Sequence, residues 1–187
     1  MFKKSAASLT SLFWLLAIID ILCIALNKPQ IHFFIKPLLM PALILLVFSN
    51  KHHSNKAWII TGLFFSFVGD VMLLVDQNVP LFFILGLASF LITHICYIVW
   101  FLKIKSNEKS LVSDRPWLAA IVIAYCVGLV FMLYPGLGDL KIPVMIYAMV
   151  IGCMLLGSIH VFYKAGRSAN WYFVAGALLF VASDSIL

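Results

Sequence analysis

Charge is scarce in this sequence. Asp, Glu, Lys and Arg make up 11% of its 187 residues, and the acids number only 7. A soluble domain is about a quarter charged and about half apolar; here the apolar share is 64%. With a mean hydropathy of +1.11, that excludes an ordinary water-soluble globule, a disordered chain and a coiled coil. A polytopic membrane protein remains. Paired cysteines are also lacking. Cys23, Cys96, Cys126 and Cys153 each lie inside an apolar run, which argues against a zinc motif or a disulfide framework. They read as small membrane-buried hydrophobes. Long polar linkers are missing too. The longest connection, about 103–115, holds Lys, Ser, Asn, Glu, Asp and Arg around Leu111 and Val112. No separate soluble domain fits, so 1–187 reads as a single integral membrane domain. Lys3 and Lys4 before an apolar stretch have the outline of a signal peptide. Asp20 inside that stretch, and the lack of an A-x-A-like site before Asn27, favour a retained first helix instead.

What the sequence does have is long apolar runs. A membrane-crossing helix needs about 20 mostly apolar residues. Seven runs qualify, approximately 7–27, 32–50, 57–76, 79–102, 116–135, 142–163 and 170–187. Membrane strands are excluded, because they need only about ten residues in an alternating pattern. The fold class is therefore all-α, a transmembrane helical bundle. Cationic residues set its orientation. With the N-terminus in the cytoplasm, inside positions carry Lys3, Lys4, Lys51, Lys56, Lys103, Lys105, Lys109, Arg115, Lys164 and Arg167. The outer side carries only Lys28, Lys36 and Lys141. The formal net charge of +6 is thus a topology signal, with contact to anionic lipid head groups, and not a nucleic-acid footprint. Such a topology suits a bacterial inner membrane or an endoplasmic reticulum.

Ionisable residues inside spans are costly and are candidates for function. Here they are Asp20, Lys36, Asp70, His94 and Asp184, with His160 near an inner helix end. The rise of about 1.5 Å per residue converts position into depth. From their inner polar edges, Asp70 and Asp184 lie roughly 21 Å up, Lys36 roughly 22 Å, Asp20 roughly 24 Å and Tyr147 roughly 25 Å. Five polar residues from five helices thus share one slab in the outer half of the bilayer. His94 sits lower, at roughly 13 Å. Asp70 is roughly 9 Å below Asp76 at the outer end. A site between helices would show such coincident depth. Charge cancellation within a packed core would show it as well, most of all for Asp20 and Lys36. A lone His94 also suits a hydrogen-bonded core. His32, His52 and His53 read as solvated or interfacial.

Two further patterns bear on the site. Gly62 precedes Asp70 by the same spacing as Gly176 precedes Asp184, on runs four spans apart. That hints at a parallel repeat of four helices plus four. Gly69, Ala182 and Ser183 beside the acids would let helices approach closely. Pro37 and Pro41 follow Lys36, and proline in a span frees carbonyls and kinks the helix. A kink there would suit a lipid-sized cavity as well as an ordinary bend.

An ordered set of residues then resembles a known family. It runs from Lys36-Pro37 through Gly69-Asp70 to Gly86-x-x-x-Phe90-x-x-x-His94-x-x-Tyr97. Tyr147 follows, and then Gly176-Ala177-x-x-Phe180-x-x-Ser183-Asp184. The set is similar to that of the YhhN family, the lysoplasmalogenase-like membrane proteins, over essentially the whole chain. The resemblance implies eight helices, so an eighth is expected beyond Leu187. It implies hydrolysis of the vinyl-ether bond of lysoplasmalogens (lysoplasmenyl-ethanolamine or -choline) to a fatty aldehyde and a glycerophospho-base. It makes Asp70 and Asp184 the catalytic pair.

The chemistry suits the residue types. Protonation of a vinyl ether at carbon gives an oxocarbenium ion; water adds, and the hemiacetal collapses to aldehyde and alcohol. One acid and one anion are needed, as glycosidases provide with two carboxyls in different environments. Two Asp in a low-dielectric slab can divide in this way, and their titration belongs to the pair. Lys36 would hold a carboxylate or meet the lipid phosphate. Tyr147 and His94 would orient water or the glycerol hydroxyl, with Asp20, Ser183 and Tyr97 completing the lipid-binding set. No metal or cofactor is implied. The expected partners are the lysophospholipid substrate and membrane lipids. A proton- or ion-coupled transporter of small molecules or lipids is the main competitor, since intramembrane Asp and His also serve carriers. A lipid sensor without turnover is the third reading.

Overall fold

The computed structural model describes residues 2–49, 55–75, 79–164 and 167–186, and these are helical with short connections and no strand. Seven long helices match the seven apolar runs: α1 (Phe2–Ala25), α2 (Pro29–Ser49), α3 (Lys56–Val75), α4 (Pro80–Leu102), α6 (Trp117–Leu133), α7 (Lys141–His160) and α8 (Arg167–Ile186). A one-turn helix, α5 (Leu111–Asp114), stands between α4 and α6. Six of the long helices are apolar and long enough to cross a membrane. The helix α8 has the length but falls outside those six.

Turn chemistry explains the boundaries. At the end of α1, Asn27 takes a left-handed backbone (φ 53°). The Lys28 N–H returns to the Cys23 carbonyl at 2.8 Å, which satisfies helix-end carbonyls as a Schellman cap does. Pro29 then opens α2, where a missing N–H does no harm. Pro116 precedes α6 in the same way. Beyond α6, Tyr134–Gly136 and Gly138–Leu140 form two short 3-10 turns that lead into α7.

The chain groups into two compact units, Met1–Cys96 and Tyr97–Leu187, with the boundary inside α4. In the first unit α2 packs against both α1 and α3, and α3 meets α4 through small residues. A Cβ added at Gly69 would stand 2.8 Å from the Phe90 ring, and one at Gly86 would stand 2.8 Å from Leu73. The second unit is centred on α7, which touches α5, α6 and α8. Its core holds Phe101, Val122, Ile151, Met154, Leu155 and Val181. Trp100 and Phe173 meet edge to face, with ring centroids 5.1 Å apart. The polar stretch before α6 does not simply hang in solvent. The Ser110 hydroxyl caps α5 by accepting from the Val112 N–H at 3.2 Å, and Leu111 and Val112 pack on the core.

Large side chains such as Phe131 (81% exposed) and Leu179 (73% exposed) lie on the outside. An outer surface of that kind suits lipid, where the tails are as apolar as the side chains.

Candidate active site

Each unit gathers its own in-membrane polar residues. In the first, α2 stays helical across Pro37 and Pro41, although proline has no N–H to offer the Phe33 and Pro37 carbonyls. Lys36, just ahead of Pro37, places its Nζ 3.9 Å from Asp70 Oδ1. Asp70 is buried and Lys36 half-buried. A cation beside a buried carboxyl offsets part of its desolvation. These two residues share a predicted depth and are in contact here. Asp70 is flanked by the tight α3–α4 contact at Gly69 and Phe90. One turn or two away, the Thr93 hydroxyl lies 3.0 Å from the Gly62 carbonyl and 3.2 Å from that of Ser89.

Asp20 takes a different partner. His32 Nδ1 lies 2.8 Å from Asp20 Oδ1. His32, expected to be solvated or interfacial, is half-buried and makes this contact. The turn at Asn27 folds α2 back along α1, so residues flanking the turn meet. His94 is fully buried on α4. Tyr97, the first residue of the second unit, packs at the edge of that unit's apolar cluster.

In the second unit, the Tyr147 hydroxyl on α7 donates to Asp184 Oδ2 on α8. The next residue, Ser185, stands 2.7 Å from the Tyr125 hydroxyl on α6 and donates to the Val181 carbonyl at 2.6 Å. Three helices are therefore tied by hydroxyls around Asp184. Ser183 and Ala182 are exposed. The close helix approach expected at these two is found instead at Gly152, where a Cβ would stand 2.8 Å from Cys126 Sγ. The two glycines of the suggested repeat also differ: Gly62 is buried, whereas Gly176 is exposed with open space about it.

Sequence reasoning thus singled out Lys36, Asp70, Tyr147 and Asp184 by their shared depth without pairing them in this way, and missed His32, Tyr125 and Ser185. A signal existed for Ser185, which directly follows an in-span acid, and for Tyr125, which lies mid-span. At the C-terminal end of α7, His160 Nε2 lies 2.9 Å from Lys164 Nζ. Lys51, His52, His53 and Asp76 lie outside the described residues. Among the described residues, no three His, Cys, Asp or Glu side chains are grouped as metal ligands would be.

The family model described as the YhhN family matches residues 31–187. The chain belongs to the YhhN family. This YhhN protein is 30% identical, over 138 residues, to proteins named lysoplasmalogenase from Mycobacterium bovis and Mycobacterium tuberculosis. The match covers 71% of this chain and 49% of each relative, so the chain spans about half the length of those two relatives. No solved structure matches it.

Proposed function

We propose that this YhhN protein is a lysoplasmalogenase-like hydrolase, which cleaves the vinyl-ether bond of a lysoplasmalogen within the membrane. Asp70 and Asp184 are the catalytic carboxyls in this reading. The observation that supports it is that the two acids have neighbours of different kinds, an ammonium beside Asp70 and a phenol on Asp184. Two carboxyls in unlike settings are what a reaction through an oxocarbenium ion uses. The lysoplasmalogenase names of the relatives supply the substrate class.

The steps balance without a further reactant. A carboxylic acid delivers a proton to the vinyl carbon distal to oxygen, and the positive charge spreads over the adjoining carbon and the ether oxygen. The second carboxylate stabilises that cation and takes a proton from the incoming water. The hemiacetal carbon then breaks its bond to the glyceryl oxygen, which takes up the proton that the hemiacetal hydroxyl gives up, releasing a fatty aldehyde and the glycerophospho-base. Tyr147 positions Asp184, and Lys36 balances Asp70 or meets the lipid phosphate. His94, Asp20, Ser183 and Tyr97 belong to the wider lipid-binding set. The N-terminus is cytoplasmic, in a bacterial inner membrane or an endoplasmic reticulum.

The test follows aldehyde release from lysoplasmenyl-ethanolamine by purified protein, with the saturated-ether lysolipid as control. Wild type is expected to release aldehyde from the vinyl ether alone, and Asp70→Asn and Asp184→Asn to be inactive. Tyr147→Phe removes a hydrogen bond to a charged acceptor worth about 1.5–3 kcal/mol, so its kcat should fall roughly ten- to a hundredfold. Activity that survives both Asp substitutions overturns the site. A well-folded wild type without aldehyde release overturns the hydrolase and moves the reading to a proton- or ion-coupled carrier.

A further inference from the structure

The second unit carries a groove whose two ends differ in chemistry. It measures about 670 Å³, within the range of small-ligand sites, about 300–1,000 Å³. It runs between α6 and α8 over the floor of α7, and leucine, valine and isoleucine dominate its walls. One end is marked by Arg115, Tyr163 and Trp171, and the other by Tyr125 and Ala182. From Trp171 to Ala182 along α8 is about 16 Å at 1.5 Å per residue. Half of a hydrocarbon core about 30 Å thick is about 15 Å. The groove is therefore as long as one leaflet's acyl chain.

The Arg115 end adjoins a polar pocket that shares Tyr163 with the groove. Asn107, Glu108, Lys109 and Asp114 complete that pocket. Its position follows from the short helix α5. The Arg115 N–H bonds to the Leu111 carbonyl at 2.9 Å, so Leu111 and Arg115 lie one turn apart on a single face and both line the groove. Asp114 lies a step round the turn and lines the polar pocket. An apolar slot thus opens beside two cations and two carboxyls. Tyr163 and Trp171 have the amphipathic rings that favour head-group level.

We infer that this groove and pocket form a lipid-binding site for a phospholipid with a primary-amine head of the phosphoethanolamine kind. The acyl chain fills the groove. The phosphate meets Arg115 and Lys109, since guanidinium pairs with phosphate through two parallel hydrogen bonds. The ammonium meets Glu108 and Asp114. A phosphoglycerol head would leave those two carboxylates against a net anion. Neither Asp70 nor Asp184 lines this groove or its pocket. The groove's apolar end, not its head end, abuts Tyr125, the partner of Ser185 beside Asp184. A lysoplasmalogen seated head-first at Arg115 would hold its vinyl ether, a few bonds from the head, near the wrong end. The inference stands whether or not the chain is a hydrolase.

The experiment is a titration of delipidated, detergent-purified full chain, read by native mass spectrometry. The probes are saturated-ether lysolipids of equal chain length with phosphoethanolamine or phosphoglycerol heads. Wild type should prefer the phosphoethanolamine probe roughly tenfold, as one charge-assisted contact allows. Arg115→Gln should weaken both probes, and Val174→Trp, which fills the groove, should abolish both. Glu108→Gln/Asp114→Asn should keep phosphoglycerol binding and lose the preference, which also shows that the variant is folded. Equal wild-type affinity for the two heads overturns the head-group assignment. Binding by Arg115→Gln and Val174→Trp at the wild-type level reports micelle partition only and overturns the site.

Discussion

Asp20 has little water to hold it, and His32 takes the place of that water. The pair is 2.8 Å apart and mostly enclosed, with side-chain exposures of 21% for His32 and 12% for Asp20. Removing one member leaves the other a buried polar group without its partner, which costs about 1–3 kcal/mol. His32→Ala and Asp20→Ala should each lower stability by that order, measured by thermal unfolding in detergent. The double variant should be no less stable than the worse single, because the second change removes an already stranded group. Additive losses would show that the two residues act independently. This pairing also marks how far residue-scale reading goes. Depth along a span follows from position, because every helical residue advances by the same rise; the pairing of Lys36, Asp70, Tyr147 and Asp184 needs more than depth, but their shared level was legible on that ground. His32 was not. A histidine at a helix end reads as wet until the turn preceding it is known to double the chain back.

At the scale of elements, the placement of Asp70 rests on how closely α3 approaches α4. Gly69 is the residue that permits it, since an added Cβ would stand 2.8–3.0 Å from three atoms of the Phe90 ring. Phe90 is itself buried and has little room to yield. Gly69→Ala should therefore destabilise by about 1–3 kcal/mol, the usual cost of overpacking, and should lower aldehyde release by shifting the neighbouring Asp70. Phe90→Leu, which removes the obstructing ring edge, should restore part of both losses in the double variant. Stability restored without activity would mean that the contact supports the fold and not the acid. The seven helices themselves were legible, because a run of about 20 apolar residues has few other fates. The one-turn α5 was not. Its formation rests on the Ser110 cap and on Leu111 and Val112 finding the apolar cluster, contacts that a mostly polar stretch does not announce. Close approach at Gly152 was equally hidden, since its partner Cys126 is distant in the chain.

At the scale of the whole molecule, the sidedness of the Lys and Arg residues is the strongest directional signal. Cations near the ends of spans stay on the cytoplasmic side, and ten of the thirteen do so when the N-terminus is inside. The connection that holds Lys103, Lys105, Lys109 and Arg115 is then cytoplasmic, and the turn that holds Asp139, across α6, is not. Ser106 and Asp139 are both exposed and suit a labelling test. In a background with Cys23, Cys96, Cys126 and Cys153 replaced by alanine, Ser106→Cys should react with an impermeant maleimide only in inside-out vesicles. Asp139→Cys should react only in right-side-out ones. The reverse pattern would invert the topology and place the amine-lipid pocket in the outer leaflet. Reaction of both from one side would mean that α6 does not cross, which its 17 apolar-rich residues and the following 3-10 turn argue against on length alone. The expected pattern puts the pocket at Lys109, Asp114 and Arg115 in the cytoplasmic leaflet. There the surface potential of anionic lipids also draws cations toward the head groups, so the same charges that orient the chain would hold a lipid against it.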